Sequence, residues 1–114
     1  MTSDFHSVDW EAMEWQPVRK GIDRKSFGSD NVTLALHRLM PGHEPRPHSH
    51  PHEQVVYILS GQIDFHLPGK VVRLGAGGLL VVPPDVMHYG VVVGDEPVLN
   101  LDVFTPARPE YLIN

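Results

Sequence analysis

An all-β domain, a sandwich or a small barrel, is what this sequence predicts, and two observations carry the expectation. Eleven prolines and ten glycines are spread through 114 residues. That is too many for a helix bundle and suits short strands joined by turns. Between them lie apolar runs of strand length, spaced about 8–12 residues apart. From about Gly21 the pattern is β. NVTLALHRLM (31–40) alternates, with Val32, Leu34 and Leu36 on one parity. QVVYILSGQIDFHL (54–67), KVVRL (70–74), GLLVVPP (78–84), HYGVVV (88–93) and PVLNLDVF (97–104) follow, giving six or so strands. The breaks read SG, PG, GAGG, PPD and GDEP, residues that supply positive or fixed φ. Both tryptophans, Trp10 and Trp15, fall in residues 1–20, where WEAMEW fits a short helical turn or an arm lying on the barrel. The length suits one domain with one core. The expected organisation is a single domain over 1–114, with an N-terminal arm over 1–20, a barrel core over about 30–104 and a tail over 105–114.

Charge and composition exclude several classes. The net charge is −5 with histidines neutral, and there is neither a basic stripe nor a Gly-rich phosphate loop, so nucleic acid is not an expected partner. The same charge weakly repels anions at long range, so any anion site must win locally, through a metal or a positioned arginine. No apolar run approaches the roughly 20 residues of a membrane span. MTSDFHSVDW lacks the basic and apolar segments of a signal peptide, so a cytoplasmic location is expected. Cysteine is absent, which removes disulfide and thiolate chemistry.

The densest chemistry is HSHPHEQ, residues 48–54. His48 and His50 are two apart, and on a strand they share a face. Gln54 keeps that parity, whereas Glu53 falls on the other. His52 also keeps it, though Pro51 bends the chain beside it. His43 adds a fourth histidine upstream, and a His-rich loop that binds metal adventitiously is the plain alternative. A built site needs one more group from another strand. His88, opening the run after the rigid PPD turn, is the candidate. Nitrogen and oxygen ligands without sulfur suit one divalent transition ion, Zn, Ni, Mn, Fe or Co, with positions left for water or substrate.

These residues resemble the two motifs of the cupin family. The first, G-x5-H-x-H-x3,4-E-x6-G, matches Gly42, His48, His50, Gln54 and Gly61, with Gln where Glu is usual. The second, G-x5-P-x-G-x2-H-x3-N, matches Gly77, Pro83 and His88, with Asp85 where Gly is usual and Val92 where Asn is usual. Asp can occupy a tight turn, and the missing Asn is not a ligand. The resemblance implies a double-stranded β-helix, a jelly-roll-like barrel, with His48, His50, Gln54 and His88 holding the metal. Gln in place of Glu leaves a divalent ion its full charge. That favours Lewis-acid chemistry on a carboxylate or enolate over a stable ferric state, and so isomerisation, cyclisation or hydrolysis over dioxygenation.

A second informative stretch is LDVFTPARPEYL, 101–112. By alternation Asp102 and Phe104 share a strand face; the plain reading turns Asn100 and Asp102 to water and makes Arg108 an ordinary surface arginine. HSHPHEQ together with D-x-F-x-P-x-R-x-x-Y-L resembles one cupin subgroup, the pectin-degradation proteins that linearise 4,5-unsaturated uronates. The stretch PVRKGIDRKSFGSDNVTLALHRLMPG resembles it too. This resemblance implies a small anionic sugar acid as substrate. Asp102 would be the general acid/base, Arg108 would pair with the substrate carboxylate, and Phe104 would be a water-excluding wall. Tyr57 and Gln62 are further candidates for the pocket, although Gln62 at a turn is expected to be exposed. It also implies a homodimer, with the apolar strands and the Trp10/Trp15 arm available as interface. Two other classes stay open: another non-redox cupin enzyme such as a polyketide cyclase, for which Arg108 is dispensable, and a non-catalytic small-molecule or sugar-binding cupin.

Overall fold

Alternation and turn chemistry produce nine strands among the described residues, where six or so runs are expected from the sequence. The computed structural model describes residues 5–112. Its strands are β1 (Gln16–Arg19), β2 (Ile22–Gly28), β3 (Thr33–Leu39), β4 (Glu53–Ser60), β5 (Ile63–Leu67), β6 (Lys70–Leu74), β7 (Leu79–Val82), β8 (Tyr89–Val92) and β9 (Val98–Thr105). A six-stranded sheet runs β1-β2-β3-β9-β4-β7 and faces a three-stranded sheet, β6-β5-β8, an all-β jelly-roll arrangement. The larger sheet begins at Gln16, earlier than the expected core. Asp23, Arg24, Lys25 and Ser26 hide β2 from a hydrophobicity reading because both of its faces carry polar groups. The long run 54–67 divides at Gly61, where φ is 83° and a Cβ would meet the Pro97 carbonyl oxygen at 2.5 Å.

The inward parity of β3 is the opposite of the apolar one. Thr33 and Ala35 are buried, with Leu39 on the same parity, and this row pairs with Phe104, Asp102, Asn100 and Val98 of β9. Val32, Leu34 and Leu36 therefore lie on the outer side. The arm covers part of that side. Trp10–Ala12 form a short 3-10 turn capped by the Asp9 side chain, Lys25 Nζ donates to the Trp10 carbonyl at 2.7 Å, and the Trp15 ring sits under Lys25 and Arg38. Arm and turn are thus both present, held by hydrogen bonding and cation–π contact. No helix among the described residues is long and apolar enough to cross a membrane.

The interior is divided along the strands. Ile22, Leu39, Val56, Ile58, Ile63, Phe65, Val82 and Val98 form one apolar cluster drawn from both sheets. Each such side chain contributes roughly 1.5–3 kcal/mol when fully buried. Two residues further along the same strands the inward positions turn polar: Arg24 after Ile22, His37 before Leu39, Gln54 before Val56, Asn100 after Val98. One end of the barrel supplies stability and the other supplies chemistry.

Asp85, in the place of a motif glycine, holds φ at 65°, and its N–H donates to the His50 carbonyl at 2.8 Å. The left-handed turn is retained, with the one non-glycine side-chain class that tolerates it well. Asp85→Gly is expected to unfold within about 1 kcal/mol of wild type. Asp85→Val should lose about 1–2 kcal/mol because a branched Cβ clashes in that conformation. Urea denaturation of both variants checks this; equal stability of the valine variant would show that the turn does not need its left-handed residue.

Candidate metal centre

His48 and His50 precede β4 and lie outside a regular strand. What fixes them is a bridge to the residue opposite: His48 N–H donates to the His88 carbonyl at 3.1 Å and His88 N–H to the His48 carbonyl at 2.9 Å. Each of the three rings also spends its Nδ1 on a backbone carbonyl. His48 donates to Arg46 at 2.8 Å, His50 to His52 at 3.0 Å, and His88 to Val86 at 2.8 Å. A carbonyl only accepts, so in each case Nδ1 carries the hydrogen and the neutral ring leaves Nε2 with a bare lone pair. Burial, the largest cause, pushes the His48 and His88 imidazoles below the ordinary histidine value and so favours the neutral form. The ligating nitrogens of the three lie within 4.8 Å of one another.

Gln54 enters from β4 and is buried. Its Nε2 donates to Asp102 Oδ1 at 2.8 Å. That contact orients the amide, because a carboxylate offers only lone pairs. Oε1 is therefore turned inward, 3.0 Å from His50 Nε2 and 3.1 Å from His88 Nε2. Three imidazole lone pairs and one amide oxygen converge with no hydrogen between them. Such a set of acceptors is satisfied by a cation, and the residues fit a divalent metal bound through nitrogen and oxygen. The glutamine is explained by the same contact: a glutamate here would set its carboxylate against that of Asp102.

Asp102 is 3% exposed. It accepts from Gln54, from Asn100 Nδ2 at 3.2 and 3.1 Å, and from His37 Nδ1 at 2.8 Å. His37 Nε2 in turn accepts from Arg24 Nε at 3.0 Å. Arg24 and Arg108 both stack on the Tyr111 ring, at 3.6 and 4.0 Å from its centroid, and Arg108 also lies 4.8 Å over Phe104. Burial raises the Tyr111 phenol above its ordinary value, so it presents a neutral ring to both cations. Arg108 is anchored by its own N–H to Thr33 Oγ1 at 2.8 Å and by Nε to Glu110 at 3.1 Å, and its Nη1 is buried without a partner. A cavity of about 360 Å³ opens onto His48, Gln54, His88, Asp102, Phe104 and Arg108. Four of the six arginines of the chain, Arg19, Arg24, Arg46 and Arg108, line it.

The structure thus brings His48, His50, Gln54, His88, Asp102, Phe104 and Arg108 to one place. Tyr57 does not join them, a correction to the expected pocket. It has the opposite parity to Gln54 on β4 and is 37% exposed on the outer face, among the exposed Leu59, Leu79 and Val81. Gln62 is exposed. His43 stands apart and accepts from Val92 N–H; His52 contributes the carbonyl that orients His50. Arg24, His37, Asn100 and Tyr111 were not expected here. The signal for His37 and Asn100 was their shared parity with Leu39 and Asp102, which the louder Val32/Leu34/Leu36 pattern masked.

The model of the cupin domain family matches residues 35–104. The chain is a cupin. Polyketide synthase CurC of Streptomyces cyaneus is 30% identical to it over 108 residues, 88% of this chain and 70% of that protein. The structure of KdgF from Halomonas sp. matches with a TM-score of 0.81 at 28% identity, covering 89% of this chain and 94% of that one. An RmlC-like cupin from Shewanella frigidimarina NCIMB 400 matches with a TM-score of 0.86 at 27% identity, covering 97% and 99%.

Two outcomes are expected of this cupin. Gln54→Glu should destabilise the metal-free protein by about 3 kcal/mol, by facing two buried carboxylates. Combining it with Asp102→Asn should restore at least half of that loss by reversing donor and acceptor; a denaturation double-mutant cycle reads the coupling. The metal-free protein should also lose stability as pH falls below 7. His43, His48 and His88 have folded pKa values below the unfolded 6.5, so below that pH the unfolded chain binds more protons. The stabilisation is complete above about 6.5 and declines toward the lower folded values. Denaturation midpoints from pH 7.5 to 5 measure it; a flat profile would contradict the buried neutral rings.

Proposed function

We propose that this cupin is a metal-dependent enzyme that opens 4,5-unsaturated uronates, small sugar acids from pectin or alginate breakdown, to linear keto acids. The observation that carries the reading is the convergence of a buried carboxylate, Asp102, and a buried unpartnered guanidinium nitrogen of Arg108 on the cavity that faces the three-histidine, one-glutamine set. The likeness to KdgF at 28% identity and the D-x-F-x-P-x-R-x-x-Y-L tail support it. The cavity volume falls within the roughly 300–1,000 Å³ of small-molecule sites.

The substrate is a cyclic hemiacetal whose ring oxygen is also an enol-ether oxygen. Opening breaks the bond between C1 and the ring oxygen. C1 becomes an aldehyde as its hydroxyl loses a proton, the ring oxygen becomes the C5 carbonyl, and C4 gains a proton. One proton moves and nothing else enters or leaves. His48, His50, Gln54 and His88 would hold a divalent ion, which when bound supplies Lewis-acid polarisation of substrate oxygens. Arg108 pairs with the substrate carboxylate through its planar fork. Asp102, an acceptor toward all three of its neighbours, takes the hydroxyl proton and delivers it to C4 as general base and then acid. Phe104 packs edge-on against His50 at 5.5 Å and keeps bulk water from the proton path.

A second reading, another non-redox cupin enzyme acting on a polyketide, is supported by the 30% identity to polyketide synthase CurC; a largely apolar substrate of that kind would leave the arginines idle. A non-catalytic sugar-binding role is the third. Metal-loaded protein should consume the ring alkene of unsaturated galacturonate or mannuronate, followed by NMR, well above the spontaneous rate. Asp102→Ala should fall by at least about 100-fold, and Arg108→Lys should raise KM by roughly tenfold through loss of the bidentate contact. Wild type at the spontaneous rate would remove the uronate assignment; turnover indifferent to Arg108 would point to the cyclase class, and ligand binding without turnover to the third.

A further inference from the structure

We propose that Arg24 and His37 are positioning residues, which hold Asp102 in place beside the metal ligand Gln54 and connect it to the arginine-lined wall of the cavity. The catalytic part of this inference rests on the reading of Asp102 given above; the hydrogen-bond part does not.

The row is set by sheet register. Arg24 of β2 is the Cα partner of His37 on β3, and His37 is the partner of Asn100 on β9, one inward step from Asp102. The residue opposite Asp102 is Ala35, fully buried and small, so His37 has room to reach diagonally across the strands. The hydrogens then have one consistent placement. A guanidinium has no acceptor, so Arg24 Nε must donate to His37 Nε2. An Nε2 that accepts carries no hydrogen, which puts the ring hydrogen on Nδ1, pointing at Asp102 Oδ2. The two carboxylate oxygens are thereby held from different sides, Oδ1 by Gln54 and Oδ2 by His37, and the carboxylate cannot rotate without breaking one of the two bonds.

Arg24 is more than a prop. It lines the cavity, stacks on the same ring as Arg108, and its Nη groups make no hydrogen bond to other described residues. Both guanidiniums lie within 4.0 Å of one ring centroid and so flank Tyr111 from opposite faces; Glu110 pairs with Arg108 alone, which leaves the cavity-lining Arg24 to attract an anion. An anionic substrate that pairs with Arg24 is therefore linked through one imidazole to Asp102.

The test compares wild type with His37→Leu, His37→Asn and Arg24→Met, all loaded with zinc. Imidazole nitrogen shifts at pH 7, assigned by the peak that His37→Asn removes, should show His37 as the Nδ1–H tautomer. Arg24→Met should abolish that preference. On unsaturated galacturonate, His37→Leu should lower kcat by roughly 10–100-fold with KM within about threefold, the size of effect expected of an outer-shell partner. His37→Asn, whose amide nitrogen falls near the Nδ1 position, should stay within about fivefold of wild type. Arg24→Met should raise KM as well as lower kcat. Zinc uptake should stay at one ion per chain throughout. An Nε2–H tautomer, an unchanged kcat in His37→Leu, or a loss of zinc parallel to the loss of rate would each overturn the proposal. If wild type itself fails to turn over the uronate, the substrate reading falls, and the tautomer and its dependence on Arg24 decide the positioning claim alone. The same two spectra decide it if His37→Leu does not fold.

Discussion

The hydrogen bond from Gln54 to Asp102 sets the direction of every other polar contact in the site. A carboxylate can only accept, so it turns the amide nitrogen outward from the histidines and the amide oxygen toward them. The same carboxylate draws the hydrogen of His37 onto Nδ1, and that in turn lets Arg24 donate to the other ring nitrogen. Backbone carbonyls do for His48, His50 and His88 what Asp102 does for Gln54: each takes the Nδ1 hydrogen and leaves Nε2 aimed inward. The direction of this candidate metal site is thus set by its outer contacts.

Such a network needs burial without dryness on the wrong side. Gln54, His88, Asn100 and Asp102 are all 5% exposed or less, and a buried polar atom without a partner costs about 1–3 kcal/mol. The barrel meets this by placing the polar rows on the same strands as the apolar cluster, so that β-sheet register, which is held by Val56, Ile58, Val98 and Leu39, also aligns the donors and acceptors. A slip of one residue in β9 would turn Asn100, Asp102 and Phe104 outward together. The rigidity of the apolar end is therefore what keeps the hydrogen-bond directions at the polar end.

That division also explains what could be read from the sequence. Turn chemistry and spacing gave the class of fold, and the motif glycines and Asp85 take the positive φ that their spacing demands. The candidate metal-binding residues were legible because they are local: three of the four fall within seven residues, and the fourth follows a rigid proline turn. Asp102, Phe104 and Arg108 could be singled out only through a family likeness, since alternation alone left the Asp102 face open to water. Arg24 was not legible by either route, and His37 carried only a parity that the apolar pattern of β3 masked. They meet Asp102 only through the pairing of β2 with β3 and of β3 with β9, which follows far on in sequence, and β3 carries its more apolar parity on the outer face, part of which the arm covers. Tyr57 misled for the complementary reason: a residue three positions from a ligand on a strand faces away from it.

Charge gives the final constraint. A chain of net charge −5 repels anions at a distance, yet four arginines line its cavity, and the ligand set contributes no negative charge of its own. Asp102, beside them, is oriented by Gln54, Asn100 and His37. A glutamate at position 54 would lower the charge of a bound divalent ion by one and would compete with Asp102 for donors. Glutamine does neither, so the cavity keeps both its arginine-lined wall and a carboxylate whose lone pairs are held in fixed directions. An acid entering that cavity meets guanidiniums, one of which, Arg24, is joined to Asp102 through His37. On the uronate reading proposed above, the substrate is held by its carboxylate while one proton moves within it, and a guanidinium wall joined to an oriented carboxylate answers both needs.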